Sequence, residues 1–365
     1  MGGRGSPPVI RVVVVDDSTA IRRVVCAVLR SDPQITVVGQ AEDGMQALEV
    51  VARERPDVVT LDVEMPRMDG LATLRRLRTD NPRLPVVMFS SLTEQGAATT
   101  VTALTSGASD YVQKPAGGGA VTASMAAVRE QLLPKVRALG VRREVAVLAG
   151  AVSASVPADV QGGGAGAKAA RRQPEVVVVG CSTGGPDALS LLLRDLPADL
   201  GVPVLVVQHM PAVFTTLLAE RLGRVCPLPV REAVDGEELS AGQVTLAPGD
   251  FHLRVSRRAG HARLHLDQEP PVHFCRPAVD PTLESVAAAY GPRALAVVLT
   301  GMGSDGAAGA RAVAAAGGSV LAQDEDSSVV WGMPGAVVAA GAADEVLPLA
   351  SMAARIGQLV RRRAG

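Results

Sequence analysis

Through residues 9–133, short Val-rich runs alternate with longer stretches whose apolar positions recur every three or four residues. The short runs fit strands buried on both faces, and the longer ones fit amphipathic crossover helices. Strands are predicted over 12–15, 36–41, 58–61, 86–89 and 110–112, with helices such as 21–30 and 71–78 between them. This is the rhythm of a parallel sheet built from five βα units. It stops at Pro134, and residues 149–170 are almost wholly small, including Gly162-Gly163-Gly164-Ala165-Gly166. Residues 134–173 are therefore expected to form a flexible linker.

A second rhythm begins at Glu175. Apolar runs at 176–179, 204–207 and 295–299, with a helical pattern at 186–193, predict a doubly wound α/β domain over 174–365. Inside it, residues 230–273 alternate polar and apolar positions, with turn signals at Asp235-Gly236 and Pro248-Gly249. That pattern predicts antiparallel strands inserted in the domain or flanking it.

Composition removes several functions. The chain has 365 residues, 47% hydrophobic, and a net charge of -1. No apolar run reaches the roughly 20 residues of a bilayer-spanning helix, and Met1 to Pro8 carry no export signal, so a cytoplasmic protein without membrane insertion is expected. Only 7 aromatic residues occur, which leaves little for base stacking, and the charge gives no general attraction to nucleic acid. Cys26, Cys181, Cys226 and Cys275 are far apart and show no paired metal-ligand spacing. Charge is uneven: residues 134–173 carry seven basic and two acidic groups, a basic tether between two acidic domains.

In the first domain, predicted strands deliver the chain to Asp16-Asp17, Asp62, Ser90 and Tyr111 through Lys114. Ligands gather beyond the carboxyl ends of parallel strands, so three carboxylates converge there. Such a cluster calls for a cation, and oxygen ligands suit Mg²⁺. Any one Asp at a strand end is equally an ordinary loop residue. The set, with Leu61-Asp62-Val63-Glu64-Met65-Pro66-Arg67-Met68-Asp69-Gly70, resembles the receiver domain of two-component response regulators. The resemblance implies a flavodoxin-like (βα)5 fold, with Asp62 as phosphoacceptor. It implies an Mg²⁺ site from Asp16, Asp17, Asp62 and the Glu64 main-chain carbonyl. It also implies that Ser90, Tyr111 and Lys114 respond to the phosphoryl group.

In the second domain, Gly180-Cys181-Ser182-Thr183-Gly184-Gly185 contains G-x-S-x-G, a strand-to-helix elbow that exposes a serine. A serine nucleophile needs a base and a group to orient it. His209 follows the run at 204–207, and Asp305 follows the run at 295–299. An unperturbed imidazole in this role ionises near pH 6 to 7. Three other readings stand beside this one. The glycine turn suits a nucleotide phosphate, Asp305-Gly306 suits a plain tight turn, and Cys181 is an alternative nucleophile. The Ser, His, Asp order differs from that of α/β-hydrolases, which points to the same chemistry on another fold.

The strings Gly180 to Gly185, Gln208-His209-Met210-Pro211, Leu299 to Gly306 and Gly332-Met333-Pro334 resemble the catalytic domain of the chemotaxis protein-glutamate methylesterases. The resemblance implies an α/β methylesterase domain that hydrolyses glutamyl γ-methyl esters on the helices of methyl-accepting chemoreceptors, with glutamine deamidation as a companion activity. It implies a chemotaxis histidine kinase as phosphodonor and no cofactor for ester hydrolysis. Backbone N–H groups of Thr183, by the elbow rule, and Met302, by the resemblance, are the expected oxyanion donors. A DNA-binding regulator and a catalytically inert adaptor are the competing functions, although no helix-turn-helix is recognisable.

Overall fold

The computed structural model describes residues 9–91, 93–114, 121–140 and 172–361. The chain divides into two compact units, Met1–Val156 and Pro157–Gly365.

The first unit runs β1 (Ile10–Val15), α1 (Thr19–Arg30), β2 (Ile35–Ala41), α2 (Gly44–Glu54), β3 (Val58–Asp62), α3 (Gly70–Asp80), β4 (Val86–Ser90), α4 (Glu94–Leu104), β5 (Asp110–Gln113) and α5 (Val121–Gly140). All neighbours are parallel, in the order β2-β1-β3-β4-β5. Val12 to Val15 are almost fully buried, which is why the strand reads as a continuous apolar run. Polar residues in the loops start the helices: Ser18, Asp43, Asp69 and Thr93 accept N–H groups of Ile21, Gln46, Ala72 and Gly96.

The end of this unit differs from expectation. α5 continues past Pro134 to Gly140, because Leu132, Val136 and Leu139 bury one face on either side of the proline. Tertiary burial outweighs the lost helical hydrogen bond. Lys135 and Arg137, expected in the tether, instead pair with Asp110 at 2.7 Å and Asp32 at 2.6 Å. Residues 141–171, which make up most of the expected linker, lie outside the described residues.

The second unit runs β6 (Val176–Cys181), α6 (Gly185–Arg194), β7 (Val204–Gln208), α7 (Ala212–Gly223), β8 (Val230–Glu232), β9 (Val244–Leu246), β10 (His252–Arg258), β11 (His261–Asp267), α8 (Val279–Tyr290), a 3₁₀ turn (Gly291–Arg293), β12 (Ala294–Val298), α9 (Ala307–Ala315), β13 (Ser319–Gln323), α10 (Gly332–Ala339), β14 (Glu345–Leu347) and α11 (Leu349–Val360). Its seven-stranded sheet has the order β14-β13-β12-β6-β7-β9-β8. The chain leaves β6 toward β7 and later returns to β12 on the other side. This makes β6 the switch point at which a doubly wound sheet opens a crevice.

The stretch 230–273 is only partly antiparallel. β10 and β11 form the expected hairpin, with Ala262 and Leu264 inward and His261, Arg263 and His265 outward. β8 and β9 instead join the main sheet in parallel. Asp235-Gly236 does turn the chain, but toward the hairpin: Gly236 and Leu239 N–H groups donate to Leu264 and Ala262, both at 2.9 Å. Alternation alone does not distinguish the two pairings. Among the described residues, no helix is long and apolar enough to cross a membrane.

Candidate functional site

Ser182, His209 and Asp305 follow the carboxyl ends of three adjacent strands. Cys181 is in register with Gln208, so the next residues, Ser182 and His209, are lateral neighbours. On the other side, Ser182 N–H donates to Thr300 O at 3.0 Å. Gly184 takes φ +77, a conformation that costs glycine little, and turns the chain into α6. Gly301 is needed for a different reason. A Cβ there would lie 2.9 Å from Ser182 Cβ and 2.3 Å from Met333 Sδ, so bare backbone passes directly against the serine and leads into Met302.

His209 Nε2 is 2.7 Å from Asp305 Oδ2. Asp305 is 1% exposed, and its carboxylate accepts N–H bonds from Val279 at 2.6 Å and from Asp280 and Gly306 at 2.9 Å. Val279 and Asp280 open α8, whose N-terminus has no side-chain cap of its own; Asp305 fills that role across the fold, where the helix dipole also favours its charge. Asp305-Gly306 is therefore more than a tight turn. Burial raises the Asp305 pKa, but the hydrogen bond and charge of His209, with the N–H donors, outweigh it and hold the carboxyl below its usual range.

His209 is nearly enclosed, which by itself disfavours imidazolium. The hydrogen bond and charge of Asp305, helped by the neighbouring Cys275 side chain, outweigh that and raise its pKa to about 9. The expectation of an unperturbed base is thus displaced upward by the partner that orients it. With Nε2 turned to Asp305, Nδ1 is the nitrogen left to exchange a proton. Among the described residues, no hydrogen bond joins Ser182 Oγ to His209; such bonds often tighten only when substrate is bound. Cys181 is fully buried, donates to Gln208 Oε1 at 3.1 Å, and burial pushes its thiol pKa far up. It is a sheet residue with little thiolate character.

In the first unit, Asp16 and Asp62 are 2% and 1% exposed, while Asp17 is exposed. Oxygens of the three lie within 4.8 Å of one another. Lys114 Nζ is 2.7 Å from Asp62 Oδ2 and 3.1 Å from Asp16 Oδ2. Apart from that ammonium, neither of these two oxygens has a donor among the described residues. Burial and the Asp16 charge push the Asp62 pKa up to about 6, against the pull of Lys114. Burial likewise raises Asp16. An orphaned, oxygen-only donor set with excess negative charge fits Mg²⁺. Glu64 N–H donates to Asp62 Oδ1 at 3.3 Å, which places its peptide beside the cluster.

Ser90 ends β4 beside Asp62, in the register Asp62↔Phe89. Its hydroxyl lies 3.0 Å from Ser91 O and 3.2 Å from Gly96 O, sharing its one proton between them, and accepts from Thr100 Oγ1 at 2.6 Å. Tyr111 is half-buried, with the Lys135 ammonium 5.0 Å from its ring centre.

Residue-by-residue reading missed Cys275 against His209, the His273 Nε2 to Asp280 Oδ2 pair at 3.0 Å, and Thr100 on Ser90. None lies at a strand end, the signal used to find the others.

The two parallel sheets and the sites at their carboxyl ends are those of a response-regulator receiver ahead of an α/β enzyme domain. Residues 12–126 match the response regulator receiver domain family and residues 177–356 match the CheB methylesterase family. A protein-glutamate methylesterase/protein-glutamine glutaminase of Nocardioides sp. is 51% identical over 361 residues, which is 98% of this chain and 97% of that one. The protein of the same name from Trichodesmium erythraeum is 44% identical over 349 residues, 96% and 98% of the two chains. The crystal structure of the Thermotoga maritima CheB methylesterase catalytic domain is similar to 52% of this chain and all of its own, with TM-score 0.51 and 44% identity. The chain belongs to the CheB methylesterase family, with a receiver domain ahead of the enzyme.

Proposed function

We propose that this protein hydrolyses γ-methyl esters of glutamate on methyl-accepting chemoreceptors, releasing methanol, and also deamidates receptor glutamines. Phosphorylation of Asp62 by a chemotaxis histidine kinase sets the rate, which gives adaptation in a sensory pathway. The observation that carries the reading is the 2.7 Å His209–Asp305 pair one strand from Ser182 at the sheet's switch point. Names of relatives that match nearly the whole chain support the substrate. We likewise propose a receiver, a linker and an enzyme domain with the expected limits 9–133, 134–173 and 174–365, except that α5 carries the receiver on to Gly140 and the linker begins after it.

His209 Nδ1 takes the Ser182 proton as Oγ attacks the ester carbonyl, and Asp305 stabilises the imidazolium that forms. The negative oxygen of the tetrahedral intermediate lies toward the N–H groups of Thr183 and Met302. His209 returns its proton to the departing methoxy oxygen, or to the amide nitrogen of a glutamine, which leaves as ammonia. Water, deprotonated by the same nitrogen, then attacks the Ser182 ester, and His209 returns that proton to Ser182 Oγ as the glutamate is freed. No metal is assigned to this reaction.

In the receiver, Asp16, Asp17, Asp62 and the Glu64 carbonyl would hold Mg²⁺, which neutralises charge at the phosphoacceptor. Lys114 contacts the phosphoryl oxygens, and Ser90 must leave Thr100 and Gly96 to reach them, with Tyr111 repacking in response. The test is methanol release from methyl-labelled receptor by the full chain, with and without a small phosphodonor plus Mg²⁺. Release that a phosphodonor accelerates is expected; no release from methylated receptor ends the proposal.

A further inference from the structure

Phe274 is the side chain that the ester chemistry leaves unused. It is 103% exposed in a chain that has only 7 aromatic residues. It occupies the tip of a two-residue turn closed by reciprocal bonds between Val272 and Cys275, at 3.0 and 2.9 Å. Both central residues, His273 at φ +51 and Phe274 at φ +63, adopt the left-handed conformation that such turns normally give to Asn-Gly. A bulky residue there is strained, and the surrounding structure must hold it.

What holds it is a chain of bonds to Asp305. On one side of Phe274, His273 bonds Asp280 at 3.0 Å, and Asp280 N–H donates to Asp305 at 2.9 Å. Asp280 is buried and also accepts from Gly309 N–H at 2.7 Å, so the anchor is rigid. His273, Asp280 and Asp305 each bring an atom within 4.8 Å of the others. The residue before Phe274 is thus tied to the carboxylate that holds His209, and the Phe274 side chain next to it is fully exposed.

We propose that Phe274 is a specificity-determining residue, which packs on the receptor helix next to the glutamyl ester and distinguishes a helical protein substrate from an isolated ester. The inference rests on the esterase reading above and adds how the substrate is gripped. A methyl ester offers little to recognise, so affinity must come from the surface around it. Residues three and four positions from the target glutamate share its helix face at about 5–6 Å, within reach of a phenyl ring placed beside the ester. The contact takes an apolar side chain there.

Full-length Phe274→Gly and Phe274→Tyr are compared with the parent on methylated receptor and on a small soluble substrate, N-acetylglutamate γ-methyl ester. Phe274→Gly relieves turn strain, so its unfolding temperature should hold or rise. Its kcat/KM on receptor should fall, mostly through KM, by about tenfold more than on the small ester, the size expected for losing a buried phenyl contact. Phe274→Tyr, which keeps the ring, should stay near the parent. Equal losses on both substrates, or none on receptor, overturn the assignment. A parent chain that hydrolyses neither ester overturns the esterase reading and the role of Phe274 with it, whereas a fully active Phe274→Gly chain overturns only the latter.

Discussion

Asp62, the last residue of β3, and Asp305, in the loop after β12, are both buried at the carboxyl end of a parallel sheet, yet their carboxyl groups are driven in opposite directions. Asp305 accepts three backbone N–H groups and the His209 ring, and its pKa is lowered. Asp62 accepts one long backbone N–H bond from Glu64 and faces the Lys114 ammonium at 2.7 Å, but it also faces the Asp16 carboxylate and is raised to about 6. Burial raises both; at Asp305 His209 and the backbone donors outweigh it, whereas at Asp62 the Asp16 charge adds to it. In the roles proposed above, the charge needed in every turnover is fixed by the backbone, and the charge that must accept a cation and then a phosphoryl group is left partly unmatched.

The steepest test of this contrast is at the enzyme site. Ser182→Ala should lower methanol release by about 10⁶ while leaving the unfolding temperature close to the parent, because Ser182 contributes a hydroxyl to chemistry and little to packing. Cys181→Ala, which empties only a sheet position, should keep the reaction. Turnover retained by the first variant and lost by the second would reassign the nucleophile. Asp305→Asn comes next, with an expected loss of about 10⁴ at pH 7, since the imidazolium loses its counter-charge and the amide N–H₂ confronts donors on α8. It should also destabilise the second unit, which the receiver counterpart should not do.

Much of this contrast is legible in the amino-acid pattern alone. Strand ends locate Asp16, Asp62, Lys114, Ser182, His209 and Asp305, because a buried parallel strand leaves a continuous apolar run and its carboxyl end is where side chains converge. The pattern fails where burial replaces periodicity. α5 runs through Pro134 because its apolar face continues, and β8 and β9 join the main sheet although their stretch alternates. Cys275 and Asp280 escape notice because their importance arises from folding a turn and a helix N-terminus back onto Asp305. Only the assembled fold brings residues 273–280 to residue 305, and no local spacing encodes that meeting.

The next effect is smaller and concerns pH. Only neutral His209 can act as base, and its pKa is raised to about 9. The ester kcat/KM should therefore rise from pH 7 to pH 9 by about 50-fold and level off above, with chemistry shown to be rate-limiting. Stability should move the other way. A histidine whose folded pKa exceeds its unfolded value stabilises fully below about pH 6.5, and that stabilisation is lost as pH rises through about 9. Asp305→Asn should move the kinetic inflection down toward the unperturbed imidazole range. A kinetic inflection that stays near 6.5 in the parent would mean that Asp305 does not hold the proton on His209 as its geometry implies.

The smallest effect tests the receiver half. Asp62→Asn should abolish stimulation by phosphodonor plus Mg²⁺ and leave the unstimulated ester rate in place. It should also stabilise the first unit at pH 7 by on the order of 1–2 kcal/mol, because a carboxylate raised to about 6 is held ionised at a cost there. The sign follows from linkage: Asp62 binds its proton more tightly folded than unfolded, so the parent loses stability as pH rises from about 4 to about 6 and regains none above. Mg²⁺ removes the same cost by supplying charge, and should raise the receiver's unfolding temperature more at pH 7.5 than at pH 5, where protons compete. In Asp62→Asn both the pH trend and the Mg²⁺ increment should shrink together. Calorimetry that finds this variant less stable than the parent, or equally stabilised by Mg²⁺, would show that Asp62 is as well matched as Asp305 and would remove the distinction between the two sites.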